Sequence, residues 1–232
     1  MKAMCVSGFV PNAFPARHLT GDQCRAYGDR LWAALGDHLV AFDGWPFDDC
    51  WAADLLDEIP GLMPSCASPP ADRFAQPQHM TLSNVVLLQR YNWMWQASVM
   101  HPDVDVFAWV EWTCLKQRGV TEDVLRRFVE LLHAGPCREV TLPGCWPKGV
   151  IDDSEAHWRF VGSCWVCPRE LTLNVAATVK TVASLRARLT GKLSWDMNTM
   201  AYVELLDCLP IRWYRANHDE TQFLEYRPSC PS

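Results

Sequence analysis

Short apolar runs that end at turn residues alternate along this chain with longer stretches whose apolar positions recur at helical spacing, the pattern of an α/β domain. The run 3–10, closed by Pro11 and Asn12, predicts a buried first strand followed by a loop through Arg17 and His18. Thr20, Gly21, Asp22 and Gln23 have capping-box spacing, and the helix they open covers 21–35 and stops at Gly36. Residues 38–42 read as a second strand that ends at Asp43 and Gly44. A carboxylate at that place in an open α/β sheet often meets a nucleotide's base or ribose.

Residues 47–78 contain Pro60, Pro64, Pro69, Pro70 and Pro77 without a sustained period, which predicts a loop-rich insertion or lid. A helix over 82–100 stops before His101 and Pro102, because a residue preceding proline is pushed out of the α region. The strand 105–112 follows, its apolar interior ending in Glu111. Thr121 then caps a helix that reaches His133, with Gly135 and Pro136 as its stop. Pro143, Gly144, Pro147 and Gly149 mark 136–156 as a connecting loop, and 159–167 reads as the next strand. Val175, Val179, Val182, Leu185 and Leu189 define a long amphipathic helix closed by Gly191. Ser194 caps a further helix to about Cys208, and 211–214 forms a last short strand. The expectation is one α/β domain over 1–232, with a mostly parallel central sheet flanked by helices.

Composition narrows the function classes. About half of the 232 residues are apolar, so the chain can bury a real core. A formal charge of −6 argues against a protein that holds nucleic acid by neutralising phosphates. Twelve tryptophans is a high count, and tryptophan combines a broad apolar face with one N–H donor, suited to stacking on sugar or base rings. Eleven cysteines is an odd number at irregular spacing, which predicts free thiols in a reducing cytosol and a cytoplasmic protein. The start lacks the apolar core and cleavage site of a secretory signal, and no apolar run approaches the ~18 residues of a membrane span. Cys164 and Cys167 have redox or zinc spacing, but they fall inside an apolar strand and no second such pair completes a zinc site. The first strand carries no Gly-x-Gly-x-x-Gly fingerprint and the chain no Gly-x-x-x-x-Gly-Lys-Ser/Thr loop, so dinucleotide enzymes and P-loop NTPases are disfavoured.

Three late clusters mix aromatics with acid, amide and imidazole groups: Trp158 to Gly162, Ser194 to Asn198, and Trp213 to Asp219. They fall at the ends of predicted strands and helices, where α/β enzymes place their chemistry. The run Phe107 to Trp112, the 158–168 strand, the Trp195-Asp196-Met197-Asn198 helix start and the late Asn217-His218-Asp219 resemble the HtrL/YibB-like family. That resemblance implies a GT-A glycosyltransferase-like fold and transfer of a sugar from a nucleotide-sugar donor to a hydroxyl-bearing acceptor such as a glycan. It also implies a divalent cation, manganese or magnesium, offsetting charge on the leaving diphosphate.

The resemblance distributes roles over particular residues. Glu111 is the strand-end metal ligand, although an aspartate is more usual there and no second acid stands two positions away. His218 supplies a late ligand, with Asp219 as a neighbouring ligand or as its orienting partner. Asp196 is the catalytic carboxylate, and its alternative reading is a helix-capping acid. Trp195 and Asn198 would meet the acceptor, while Ser7, Gly8, Phe9, Asp43, Arg90 and Asn92 would meet the donor. A non-catalytic carbohydrate- or protein-binding module on the same fold is the competing reading, and hydroxymethylated DNA is a variant acceptor for which the acidic chain offers no basic tract.

Overall fold

The structure is a computed structural model in which residues 1–9, 21–43, 51–64, 77–151 and 157–229 are described. Strands β1 (Ala3–Phe9), β2 (Leu39–Asp43) and β4 (Val106–Val110) form the parallel half of one six-stranded sheet. Its order is β2-β1-β4-β6-β5-β8, with β5 spanning Val140–Gly144, β6 Cys164–Pro168 and β8 Ile211–Arg215. Only β6 runs against the others, pairing antiparallel with β4 and β5, while β5 and β8 are parallel. A small second sheet joins β3 (Met63–Pro64) to β7 (Lys192–Leu193).

Two cores lie on the two faces of the sheet, because alternate strand residues point to opposite sides. Val6, Phe107 and Trp109 pack under α2 (Trp51–Glu58), α3 (Pro77–Met100), α5 (Thr172–Thr190) and α6 (Asp196–Leu205). Cys5, Val106, Ala108 and Val110 pack on the other face, under α1 (Gly21–Leu35), α4 (Glu122–His133) and α7 (Thr221–Leu224). The result is a mixed α/β domain with a mostly parallel sheet flanked by helices, as the sequence pattern implies. No helix among the described residues is long and apolar enough to cross a membrane.

Two helix ends follow directly from local chemistry. Thr121 caps α4 by accepting from the Val124 N–H at 3.3 Å. Gly191 ends α5 in the left-handed region, at φ 66°, where a side chain would be strained. Helix α3 is buried on every side from Asn84 to Met94, so it lacks the polar stripe of a surface helix. Its Trp93 ring lies against Gly8, where any Cβ would stand 2.1 Å from the indole. Trp93 also stacks between Phe42 and Trp109, at centroid distances of 5.9 and 6.0 Å.

Four expectations need correction. The stretch 136–156 is not simply a connecting loop, because it contains the fully buried strand β5. Pro143 and Gly144 belong to that strand's end. The ladder to β6 has already stopped at Thr141, and at Gly144 a Cβ would fall 1.7 Å from the Arg159 carbonyl oxygen. Helix α2 occupies part of the supposed lid, whose residues 65–76 lie outside the described set. The strand at 159–167 begins only at Cys164, after turns. Ser194 is not the cap of α6: Trp195 holds that position and makes no side-chain cap bond. The Thr20 cap and the loop through Arg17 and His18 lie outside the described residues.

Candidate functional site

The β4–β6 ladder sets the geometry of the site. Val110 pairs with Cys164, so the residues just beyond them, Glu111 and Ser163, face each other, and the Glu111 N–H donates to the Ser163 carbonyl at 2.8 Å. This is the C-terminal edge of the parallel strands, where open α/β sheets bind ligands. Three further segments converge there: Arg90 from α3, Trp158 with Gly162 from the turns before β6, and His218 from the loop after β8. Together with Lys116 and Trp195 they line a cavity of about 90 Å³. That is well below the ~300–1,000 Å³ of whole-ligand pockets, so it can house a reacting group rather than an entire donor.

A chain of amides reaches His218. Gln222 donates its Nε2 to the Asp219 carbonyl at 2.9 Å and also to Gln117 Oε1, which turns the Gln117 amide nitrogen toward the cavity. That nitrogen donates to Ser163 Oγ and meets His218 Nε2, both at 2.8 Å. The Ser163 hydroxyl lies 2.7 Å from His218 Nε2 as well, so amide and hydroxyl together hold the ring in place. Its ring lies 5.8 Å from Trp158, which meets Trp195 edge-on at 5.2 Å. The two indoles form an apolar wall of the kind that accepts a sugar ring.

Arg90 is the buried cation of the site. Its Nη2 pairs with Asp196 Oδ2 at 2.7 Å, with both side chains almost wholly buried. Its Nε donates to the Leu87 carbonyl at 2.8 Å, its Nη1 donates to the Gly162 carbonyl, and the guanidinium lies 5.6 Å from the Trp109 ring centre. Four contacts together pre-orient a charge that would otherwise be costly to bury.

The sequence-derived assignments separate under this geometry. Glu111, Arg90, Trp195 and His218 come together in the cavity. Asp196 does not line it: with no exposure, it faces Arg90 and reaches the cavity through that guanidinium. Asn198 is equally buried, and its Oδ1 accepts from the His157 N–H at 2.8 Å, which anchors the segment bearing Trp158. Asp219 turns its Oδ1 to the N–H and hydroxyl of Thr221, at 3.0 and 2.5 Å, at the start of α7. Ser7 is buried, Gly8 lies under Trp93, and Phe9 stacks on Trp112 at 5.7 Å. Asp43 stands beside Phe9 in the β1–β2 register. Asn92 lines a separate cavity on another face of α3.

A divalent cation fits this donor set poorly. Among the described residues no three His, Cys, Asp or Glu side chains gather into a metal-binding group. Of the three expected ligands, only Glu111 and His218 share the cavity, and Asp219 is engaged with Thr221. Cys164 and Cys167 are buried in opposite cores, and burial pushes both thiols well above the ordinary range, which makes them packing groups.

The architecture has a known counterpart. The chain is similar to the crystal structure of a glycosyltransferase involved in the glycosylation of the major capsid of PBCV-1. The TM-score is 0.50 at 11% identity, covering 94% of this chain and 82% of that one. At that identity the likeness establishes a glycosyltransferase-like fold and nothing finer. No known protein family and no curated protein matches the chain.

Gln117, Ser163 and Lys116 escaped the sequence reading. Lys116 closes a single 3-10 turn after β4 with Gln117 next to it, and the β4–β6 register brings Ser163 to Glu111.

Proposed function

We propose that this protein transfers a sugar from a nucleotide-sugar donor to a hydroxyl-bearing acceptor, a glycan in the simplest case. The observation that carries the reading is the convergence of Glu111, Arg90 and His218 between Trp158 and Trp195, at the strand-end edge of a glycosyltransferase-like fold. The HtrL/YibB-like kinship belongs to the same proposal and rests on the short motifs around those residues.

Glu111 is the general base of this scheme. Among the described residues its carboxylate makes no ion pair and accepts no side-chain hydrogen bond, unlike the buried Asp196, so it is available to a substrate hydroxyl. As the acceptor oxygen bonds to the anomeric carbon, its proton passes to Glu111. The bond from that carbon to the diphosphate oxygen breaks, and the diphosphate leaves with the electron pair. Arg90 and Lys116 supply positive charge on the same cavity to offset the charge it gains. Asp196 holds Arg90 in place and is a positioning residue. No step is routed through a metal ion.

The sparse metal donors also suit a second reading, a carbohydrate-binding module that keeps the fold without turnover. A thermal-shift panel of nucleoside diphosphates and nucleotide sugars, each with and without manganese or magnesium, tests the donor half of the proposal. Binding to the folded state raises apparent stability by mass action. One nucleotide family is expected to raise Tm without added cation, and to do so by a much smaller margin in Arg90→Lys, which cannot keep the fork geometry. A panel with no shift for any nucleotide would reject the transferase.

A further inference from the structure

A second cavity, about 610 Å³, lies between α2, α3 and α5, on the far side of α3 from Arg90. Its volume falls within the ~300–1,000 Å³ typical of small-molecule sites. Nothing in the transfer scheme uses it.

The packing of α3 on α5 gives this cavity a direction. Ser98 Oγ lies 2.7 Å from Thr172 Oγ1, which sets the last turn of α3 beside the first turn of α5. The helices therefore run antiparallel, and the lining residues sort by level. Val99, Met100 and Leu173 share one end, where they are 63%, 60% and 53% exposed. Asn92 on α3 stands toward the other end, near the level of Lys180 on α5, and Gln96 lies about one turn from Val99 and Met100. The polar and apolar ends are separated by roughly two helical turns, about 11 Å. Between them, Ala176 and Ala177 leave the floor wide, and Trp51 and Trp95 wall the sides.

Large apolar side chains left together at a surface mark a binding site when a cavity continues from them. Lys180 is the charged residue among the described lining groups, so the polar end favours an anion. The charge thus stands at one end and the exposed apolar side chains at the other, which matches a molecule that is itself charged at one end.

We propose that this cavity binds a single-chain anionic amphiphile. Its carboxylate or phosphate head sits at Lys180 and Asn92, and its acyl or prenyl tail covers Val99, Met100 and Leu173. The proposal stands apart from sugar transfer and does not depend on it.

The test is calorimetric titration of the full chain with dodecanoate and dodecyl phosphate, both below their micelle concentrations. Dodecanol, dodecyltrimethylammonium and anionic phospholipid vesicles serve as comparison arms. The two anionic compounds should bind at least tenfold more tightly than the cationic one and shift tryptophan emission to shorter wavelength. Lys180→Glu should cost them at least tenfold. Ala177→Trp, at an exposed position, should fill the cavity and abolish binding with Tm unchanged. The proposal is overturned if no dodecyl compound binds, if the cation binds as well as the anions, if Ala177→Trp leaves binding intact, or if only vesicles bind.

Discussion

Helix α3 separates two cavities of opposite character. On the Arg90 side a space of about 90 Å³ is crowded with charged groups, an imidazole and two indoles, drawn from α3, β4, the turns before β6 and the loop after β8. On the other side a space of about 610 Å³ is bounded mainly by apolar side chains from three neighbouring helices. The larger cavity arises because alanines and a helix crossing leave room. The smaller one exists because segments far apart in sequence each deliver one polar group to the same point. Size marks where a ligand can rest, and convergence of polar groups marks where bonds can be made or broken.

The largest expected effect falls on the anchor of the small cavity. Asp196→Asn leaves the Arg90 charge buried without its counterion, and removing one partner of a buried pair typically costs about 3–5 kcal/mol. Urea denaturation should register that loss, with a similar one for Arg90→Met. The double variant Arg90→Met with Asp196→Asn should lose clearly less than the sum, because the two groups act as one unit. Additive losses would mean that the pair is not coupled and that Arg90 is held by its carbonyl contacts alone. Dodecanoate binding at the large cavity should survive in whatever fraction remains folded.

A smaller effect separates the wall from the chemistry. Trp158→Ala removes one of the two indoles facing the cavity, and aromatic contacts of this kind contribute roughly 0.5–1.5 kcal/mol. KM for the acceptor should rise about two- to tenfold with little change in kcat, in steady-state assays at saturating donor. A fall in kcat with KM unchanged would move Trp158 from binding the ground state to stabilising the transition state.

The same contrast explains what could be read from the chain alone. Helices α1, α4 and α5 announce themselves through apolar spacing, the Thr121 cap and the glycines at 36 and 191, because those signals are local. Strand β5 was hidden by Pro143 and Gly144, which look like a turn until the close passage of Arg159 is known. At the site, Glu111, Trp195 and His218 were legible as polar or aromatic groups at element ends. The burial of Asp196 and Asn198 was not, since α6 is enclosed from Asp196 to Ala201 and its sequence carries no clear polar face. The Arg90–Asp196 pair and the Gln222–Gln117–His218 chain depend on tertiary register, which periodicity does not encode.

The most direct test of the central claim, that transfer chemistry belongs to the small cavity, is the rate of nucleoside diphosphate release from the donor found by thermal shift. It should be measured for the parent protein, Glu111→Gln and Ala177→Trp. Loss of a general base lowers turnover by about 10²–10⁴-fold. Glu111→Gln should fall by at least about a hundredfold while keeping its donor-induced Tm shift, and Ala177→Trp should match the parent. Unchanged release in Glu111→Gln, together with loss in Ala177→Trp, would contradict the account and place the chemistry on the other side of α3.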